Sequence, residues 1–326
     1  MKYLRSNWFI SLVVLAIIVI LISELALNHY RKKKNTKTVS IEKLLVPDIR
    51  TITDPAEKEL ISYGKDLIAN TARYLGPGGS LASTTNGLNC QNCHLAAGAK
   101  LFGSNFLAVA STYPKFRERS GRIESIEFRV NECLERSLNG KAIDSTSKEM
   151  RAMVAYLKWL GKNVHKNDKI SGVGATEIAF LDRPADTLKG KQVYLTMCVT
   201  CHGKNGEGVL SSDSLGYLYP PLWGSHSYAV SAGMYRLTKL SSFVRNNMPP
   251  GATYHEPQLR DEDAWDVAAY INSQPHPKKM FAYDWPVLST KPVDYPFGPY
   301  TDAFNESQHK YGPFLPIKKA KERKPG

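Results

Sequence analysis

The chain has 326 residues, a formal net charge of +13 and 42% hydrophobic residues. This length suffices for two domains of ordinary size, and this hydrophobic content excludes a largely disordered protein. Residues 1–34 carry +5 of the charge, which leaves +8 on the remainder. A basic surface attracts anionic substrates, acidic proteins or nucleic acid. Because the sequence carries no nucleic-acid-binding signature, we expect no nucleic-acid partner.

Four of the five cysteines form two Cys-x-x-Cys-His motifs. The motifs comprise Cys90, Cys93 and His94 in the first half and Cys198, Cys201 and His202 in the second. In such a motif the two thiols bond the haem vinyl groups and the histidine binds iron. A zinc ribbon would space its pairs by about 15–20 residues, whereas these are 108 apart. A thioredoxin-like motif needs a βαβ setting, and two disulfides would leave the histidines unexplained. We therefore predict two covalently bound haem c groups.

The N-terminal segment is predicted to be a transmembrane anchor. Residues 8–27 are apolar except for two serines and Glu24, which is about the length of one bilayer crossing. A cleaved signal peptide is the alternative, but it needs small residues before the cut, and cleavage after Ala26 places Glu24 three positions from it. Haem is attached to such motifs outside the cytoplasmic membrane. We expect a protein anchored at the periplasmic face of the bacterial inner membrane.

The order of elements repeats in the two halves. Helical spacing of apolar residues occurs at 55–75, 125–138, 147–160, 185–197, 234–246 and 261–273. In each half a helix with Gly-Lys (Gly64, Gly190) precedes the motif, and a helix around a tyrosine (Tyr156, Tyr270) closes the half. This repetition predicts an all-α fold with two class I cytochrome c-like domains in tandem.

The final fifty residues differ in composition from the two domains. Nine of the 19 prolines fall in residues 275–325, among many aromatic residues, which predicts an extended C-terminal strap over the domains with a frayed end at 318–326. The predicted segments are the anchor (1–34), a linker (35–54), the first cytochrome domain (55–165), an interdomain linker (166–184), the second cytochrome domain (185–275), and the strap with its basic tail (276–326).

Each iron also needs a sixth ligand or an open position. For the second haem the candidates are Met234, in a helical pattern, and Met248, in a loop before two prolines; we favour Met248 because a loop is where class I cytochromes c present their methionine. At the equivalent place in the first domain stands Cys133. A buried free cysteine is the alternative. A thiolate ligand would lower the iron potential and would also be a nucleophile.

Basic residues crowd the segment around Cys133. Acidic residues nearly balance them, so a solvated charged helix is the alternative for most. Arginine presents a rigid fork of donors that suits oxyanions. Arg129 and Arg136 lie four residues before and three after Cys133, on one helical face, and Arg119 and Arg122 precede the helix in a predicted loop.

These residues resemble the thiosulfate dehydrogenase family of dihaem cytochromes c, over about residues 55–317. The resemblance is carried by Arg-Val-Asn-Glu-Cys-Leu-Glu-Arg-Ser-Leu-Asn-Gly-Lys at 129–141, the helix 150–160, Asn-Met-Pro at 247–249, and the tail 291–300. It implies that two thiosulfates are coupled to tetrathionate at the first haem, and that two electrons leave through the second to an acceptor cytochrome or a terminal oxidase. Some members run the reverse reaction.

The resemblance also implies residue roles. His94 and Cys133 would ligate the catalytic iron, and His202 and Met248 the transfer iron. Further residues would hold the sulfur anions at the first haem: Cys133 itself, Arg119, Arg129 and Ser137, with Asn139 as a further donor. Some relatives carry lysine before the ligand methionine, where this chain has Asn247.

Two other functions remain open. A non-catalytic dihaem electron carrier would need methionine or histidine at both sixth positions and gives no reason for Cys133. An oxidase acting on a sulfur-carrier protein would divide its haems between subunits, which the second complete domain disfavours.

Overall fold

The structure, a computed structural model, describes residues 18–25, 45–174 and 176–323. The chain divides into two units, Met1–Leu44 and Leu45–Gly326. In the first unit residues 18–25 are helical and their apolar side chains are exposed. The rest of the predicted anchor segment 8–27 lies outside the described residues. Within the described ranges, no helix is both long enough and apolar enough to cross a bilayer.

The second unit is dominated by helices. They are α1 (Pro55–Ala69), α2 (Thr71–Leu75), α3 (Val109–Thr112), α4 (Ile126–Arg136), α5 (Lys148–Leu160), α6 (Thr187–Met197), α7 (Val199–His202), α8 (Leu237–Asn247), α9 (Asp261–Ser273), α10 (Glu306–Tyr311) and α11 (Phe314–Glu322). The bounds agree with the predicted helices to within a few residues, because side-chain caps begin them: Ser125, Ser147 and Asp186 accept hydrogen bonds from the first turns of α4, α5 and α6.

Two short antiparallel hairpins depart from the all-α prediction. β1 (Lys115–Arg117) pairs with β2 (Arg122–Glu124), and β3 (Val209–Leu210) pairs with β4 (Tyr217–Tyr219). The first hairpin exposes Phe116 and Ile123 and buries Glu124. This inverts the usual polarity of a strand pattern, which is why periodicity did not indicate it.

The repeated glycines lie where the first and last helices of each domain cross. A Cβ on Gly64 would lie 2.0 Å from the carbonyl oxygen of Ala152 on α5, and one on Gly190 would lie 1.9 Å from that of Asp266 on α9. In both crossings the next nearest side chain is a tyrosine Cβ, from Tyr156 or Tyr270, at 2.9 Å. The tandem-domain prediction is therefore confirmed at the level of helix packing.

The predicted interdomain linker divides between the domains. Phe102 N donates to Gly172 O at 2.9 Å in the first domain, whereas Ile178 N donates to Ser242 Oγ at 3.0 Å in the second. The domains also contact each other directly, since Asn247 Nδ2 donates to Phe102 O at 3.0 Å and the Phe102 ring stacks on Tyr254 at 3.9 Å.

The C-terminal segment, residues 276–323, runs irregularly over both domains and then forms α10 and α11. Residues 318–322, predicted to be frayed, continue helix α11, and most of their side chains are exposed. Phe314 and Ile317, one turn apart on α11, are buried in the core of the second domain. Pro316 occupies the first turn of α11, where a missing N–H disturbs no helical hydrogen bond.

Candidate active site

The two motif histidines are oriented in the same way. His94 Nδ1 hydrogen-bonds to the carbonyl oxygen of Ser104, and His202 Nδ1 hydrogen-bonds to that of Pro220 at 2.8 Å. Such a bond fixes the ring and leaves Nε2 available for a metal. Phe106 packs on the His94 ring at 4.2 Å between centroids.

A cavity of about 520 Å³ opens beside the second motif. Cys198, Cys201, His202 and Met248 all line it, together with apolar side chains from α8 and α9. Met234 lines it as well, so the structure places both methionine candidates there. The cavity extends to Cys93 and its neighbours Leu95 and Ala96, so the two motifs open on a common space.

Cys133 lies on α4 beside the first motif. It is close enough to Cys90 and Cys93 for its charge to raise the pKa of both thiols, although burial is the larger cause of their values of about 11 and about 12. Cys90 is held by Thr71, whose Oγ1 lies 3.3 Å from its sulfur and accepts from its N–H at 3.0 Å. The structure thus brings three sulfurs and His94 together.

The electrostatic setting of Cys133 differs from that of the motif cysteines. Burial raises the pKa of the Cys133 thiol, but the charge of Arg129 and a hydrogen bond with His94 outweigh it and lower the pKa to about 7. The charge of Cys133 in turn raises the pKa of Arg129. Cys133 is therefore a thiolate in a large fraction of molecules near neutral pH.

Three arginines beside Cys133 share one buried carboxylate, Glu132. Its Oε2 accepts from Arg119 at 2.8 Å and from Arg129 at 3.2 Å, and its Oε1 accepts from Arg136 Nε at 3.2 Å. Burial raises the pKa of Glu132, but the three arginines hold it below its usual value. Arg119 sits in the turn of the first hairpin, and its buried Nε has no hydrogen-bond partner among the described residues. An orphaned guanidinium N–H is a donor for an anion.

Arg136 does not face the same space as Arg129. It is 1% exposed, and its guanidinium forms two 2.7 Å hydrogen bonds with Asp284 of the C-terminal segment. The Phe281 ring covers it at 3.9 Å. Arg122 packs on Phe128 at 3.9 Å, so these two arginines have structural partners.

Ser137 and Asn139 lie at the end of α4. Ser137 donates its backbone N–H to the carbonyl oxygen of Cys133 at 2.9 Å, and Asn139 adopts a positive φ of 45° in the following turn. Sequence reasoning missed three residues of this site: Glu132, Asp284 and Tyr113. Burial raises the pKa of Tyr113, which is close enough to Arg129 and Cys133 for their charges to act on it. Of the three, only Glu132 stands in the family motif at 129–141, and its role became visible only in the fold.

The donor sets fit haem c at both motifs. Each has paired thiols and a histidine with a fixed ring, and the second has a lined cavity in addition.

Comparison with known protein families agrees with these two sites. The family described as SoxA/TsdA, cytochrome c domain, matches residues 80–165, and the family described as cytochrome c matches residues 187–275. With a cytochrome c domain on each motif, the chain carries two covalently bound haem c groups.

Individual proteins show the same relationship over most of the chain. It is 34% identical to the thiosulfate dehydrogenase of Allochromatium vinosum over 72% of this chain and 84% of that one. It is 35% identical to that of Psychrobacter arcticus over 74% and 71%. Among solved structures, thiosulfate dehydrogenase (TsdBA) from Marichromatium purpuratum superposes with a TM-score of 0.64 at 28% identity over 70% of this chain. The present chain spans 48%, about half, of that longer protein. The chain therefore belongs to the thiosulfate dehydrogenase family of dihaem cytochromes c.

Proposed function

We propose that this protein oxidises two thiosulfate ions to one tetrathionate at the first haem site. The observation that carries the proposal is the setting of Cys133. Its pKa is lowered to about 7, and it lies beside arginines of which Arg119 has an unpaired N–H donor among the described residues. Two haem c groups, when bound, supply two one-electron acceptors, which matches the two electrons released per tetrathionate.

The arginines address the main physical obstacle to this reaction. Two dianions about 5 Å apart repel each other by roughly 3 kcal/mol in water and by more in a less polar site. Arg119 and Arg129 are 12% and 32% exposed, so they are partly desolvated and also reachable. Fixed guanidinium groups can hold the anions together without reorganising during the reaction. Ser137, one helical turn from Cys133, would donate a further hydrogen bond.

Cys133 would form the covalent intermediate. Its thiolate would join the outer sulfur of one thiosulfate in a two-electron oxidation, giving a cysteine S-thiosulfonate, and the two haem groups, when bound, can accept the two electrons. A second thiosulfate then attacks that same sulfur, and tetrathionate leaves as the Cys133 thiolate is restored. A thiolate near neutral pH is what both halves of this sequence require.

The residues proposed to hold the two cofactors are those of the two motifs together with Cys133 and Met248. Cys90 and Cys93, and Cys198 and Cys201, would carry the thioether bonds. His94 and Cys133 would hold the first iron, and His202 and Met248 the second. The common cavity between the motifs supports the second site as the electron outlet to an acceptor cytochrome or terminal oxidase.

A dihaem electron carrier is the second candidate. It explains the haem sites equally well, but it gives no role to the lowered pKa of Cys133 or to the buried unpaired N–H of Arg119. Whether the enzyme also reduces tetrathionate depends on the haem potentials.

We further propose that residues 8–27 anchor the protein at the periplasmic face of the inner membrane. The exposed apolar helix at residues 18–25 supports this location. An alkaline carbonate wash of membranes should leave the full chain in the pellet. The same wash should release a form that lacks residues 1–34. Release of both forms would refute the anchor.

The function is tested by product stoichiometry. With thiosulfate and an artificial electron acceptor, the purified holoprotein should form one tetrathionate per two thiosulfates consumed, and two equivalents of acceptor should be reduced. If no tetrathionate forms although the haems exchange electrons normally, the non-catalytic electron carrier would be the function that remains.

A further inference from the structure

The C-terminal segment reaches into the first haem site from about 150 residues away in sequence. Asp284 contributes a carboxylate that is 4% exposed, and both its oxygens bind the Arg136 guanidinium at 2.7 Å. Tyr283 accepts from the same guanidinium at 3.3 Å. A bidentate pair of this kind fixes the plane of the guanidinium as well as its position.

Arg136 passes this constraint to the substrate arginines. Its Nε and Nη2 bind Glu132 Oε1 at 3.2 and 3.1 Å, and Glu132 Oε2 binds Arg119 and Arg129. Glu132 is therefore shared by three guanidinium groups, and Arg136 bridges Glu132 and Asp284. Every link in the series is a charge-assisted hydrogen bond. Without Arg136, Glu132 would be held only by the residues that it must orient.

The same segment also holds Arg119 by its main chain. Trp285 N donates to the carbonyl oxygen of Arg119 at 2.7 Å. The next residue, Pro286, packs against the hairpin turn so closely that a Cβ on Gly121 would lie 2.5 Å from its ring. Trp285 and Pro286 thus fix the backbone of the turn that carries Arg119, while Asp284 acts on the Arg119 side chain only through Arg136 and Glu132.

We propose that Asp284 is a positioning residue for thiosulfate: through Arg136 and Glu132 it holds Arg119 and Arg129 in the geometry that binds the anion. The inference rests on the proposed function of those two arginines. In the described part of the site, three arginines meet two carboxylates, so the carboxylates alone do not neutralise the guanidinium groups. Arg136 acts in this cluster as a structural link, since Asp284, Glu132 and Phe281 surround it.

Positioning and simple charge make opposite predictions. Asp284→Asn removes a negative charge, so a charge effect alone would strengthen thiosulfate binding and lower KM. If position matters, the loosened arginines bind the anion less well and KM rises. Arg136→Lys keeps the charge and removes the planar fork, so only positioning predicts a change for it.

A matched control lies ten residues further along the same segment. Asp294 is 1% exposed and binds Arg236 of the second domain, with Nε at 2.9 Å. Asp294→Asn should therefore loosen the segment by a similar ion-pair loss without touching the first haem site.

The experiment compares four holoproteins: the wild type, Asp284→Asn, Arg136→Lys and Asp294→Asn. The measured quantities are KM for thiosulfate, kcat, haem content and melting temperature. Asp284→Asn and Arg136→Lys should raise KM about tenfold or more with a smaller change in kcat. Asp294→Asn should lower the melting temperature comparably and leave KM within about twofold. If Asp284→Asn does not incorporate haem, Asp284→Glu, which keeps the charge but misplaces it, should give the same rise.

Three outcomes would contradict the proposal or its basis. A lowered or unchanged KM in Asp284→Asn and Arg136→Lys would overturn it, provided that Arg119→Lys or Arg129→Lys raises KM. If Asp294→Asn raises KM as much as Asp284→Asn does, the effect would come from lost stability of the C-terminal segment and the positioning role would be refuted. Unchanged KM in the Arg119→Lys and Arg129→Lys variants as well would instead refute the arginine roles in the proposed function.

Discussion

Cys133 and Met248, the proposed sixth ligands of the two irons, lie in different settings: Cys133 within α4, and Met248 directly after the end of α8. Cys133 is near Arg129 and His94, which lower its pKa to about 7 despite burial. Met248 follows the last residue of α8 and lines an apolar cavity. As the proposed ligands, a thiolate and a thioether would tune iron in opposite directions, which would suit the first site to chemistry and the second to electron transfer.

Replacing Met248 tests the ligand of the second haem. Met248→Leu should lower the potential of that haem and change its absorbance spectrum, because a thioether ligand favours the ferrous state. Met234→Leu is the matched control, since Met234 lines the same cavity. Spectroelectrochemical titration of both variants distinguishes them. A potential that moves only in Met234→Leu would reverse the assignment.

The helix crossings carry the domain architecture. Gly64 and Gly190 allow the first and last helices of each domain to approach until a Cβ would overlap a backbone carbonyl. Although alanine favours helix by about 1 kcal/mol over glycine, this overlap involves backbone atoms, which cannot rotate away.

Gly64→Ala should therefore destabilise the first domain by about 2–3 kcal/mol through overpacking. Gly233→Ala is the control, because a Cβ there would meet no described atom within 4 Å. Denaturant unfolding of both variants measures the difference. Equal stability of the two variants would show that the crossing tolerates a methyl group.

Helix α11 fastens the end of the chain to the second domain. Phe314 is 0% exposed, whereas the adjacent Leu315 is 38% exposed. Phe314→Ala should lower the free energy of unfolding by about 3–5 kcal/mol, and Leu315→Ala by less than about 1 kcal/mol. Similar losses in the two variants would mean that α11 does not dock as a buried helix.

Sequence patterns predicted the parts of this molecule that local spacing determines. The Cys-x-x-Cys-His motifs, the capped helices and the repeated glycine and tyrosine positions are all readable within a few residues. The first hairpin was missed because it buries Glu124 and exposes Ile123. Helix α11 was missed because its proline and lysines masked the one-turn pair Phe314 and Ile317.

The candidate site could be predicted only in part for a related reason. Cys133 and its arginines lie within one segment, so their helical spacing indicated a shared site. The partner of Arg136 is Asp284, 148 residues away, and no local pattern connects them. Which arginines keep free donors depends on such distant partners, and so the sequence placed Arg136 beside Arg129 where the fold separates their roles.

The second unit of the chain holds both haem sites. Asn247 Nδ2 and the Phe102–Tyr254 stack connect the loop after the first motif with the residues around Met248. The C-terminal segment crosses both domains, pairing Asp284 with Arg136 and Asp294 with Arg236. These contacts connect the two domains that carry the haem sites.

The most direct test of the central claim is a single-turnover reaction of the fully oxidised holoprotein with thiosulfate, followed by haem absorbance. The wild type should become reduced at both haems without any added partner. Cys133→Met, which retains all four attachment cysteines, should keep both haems and be reduced more slowly by on the order of a thousandfold or more. Equal reduction rates in the wild type and the variant would contradict a reaction centred on Cys133.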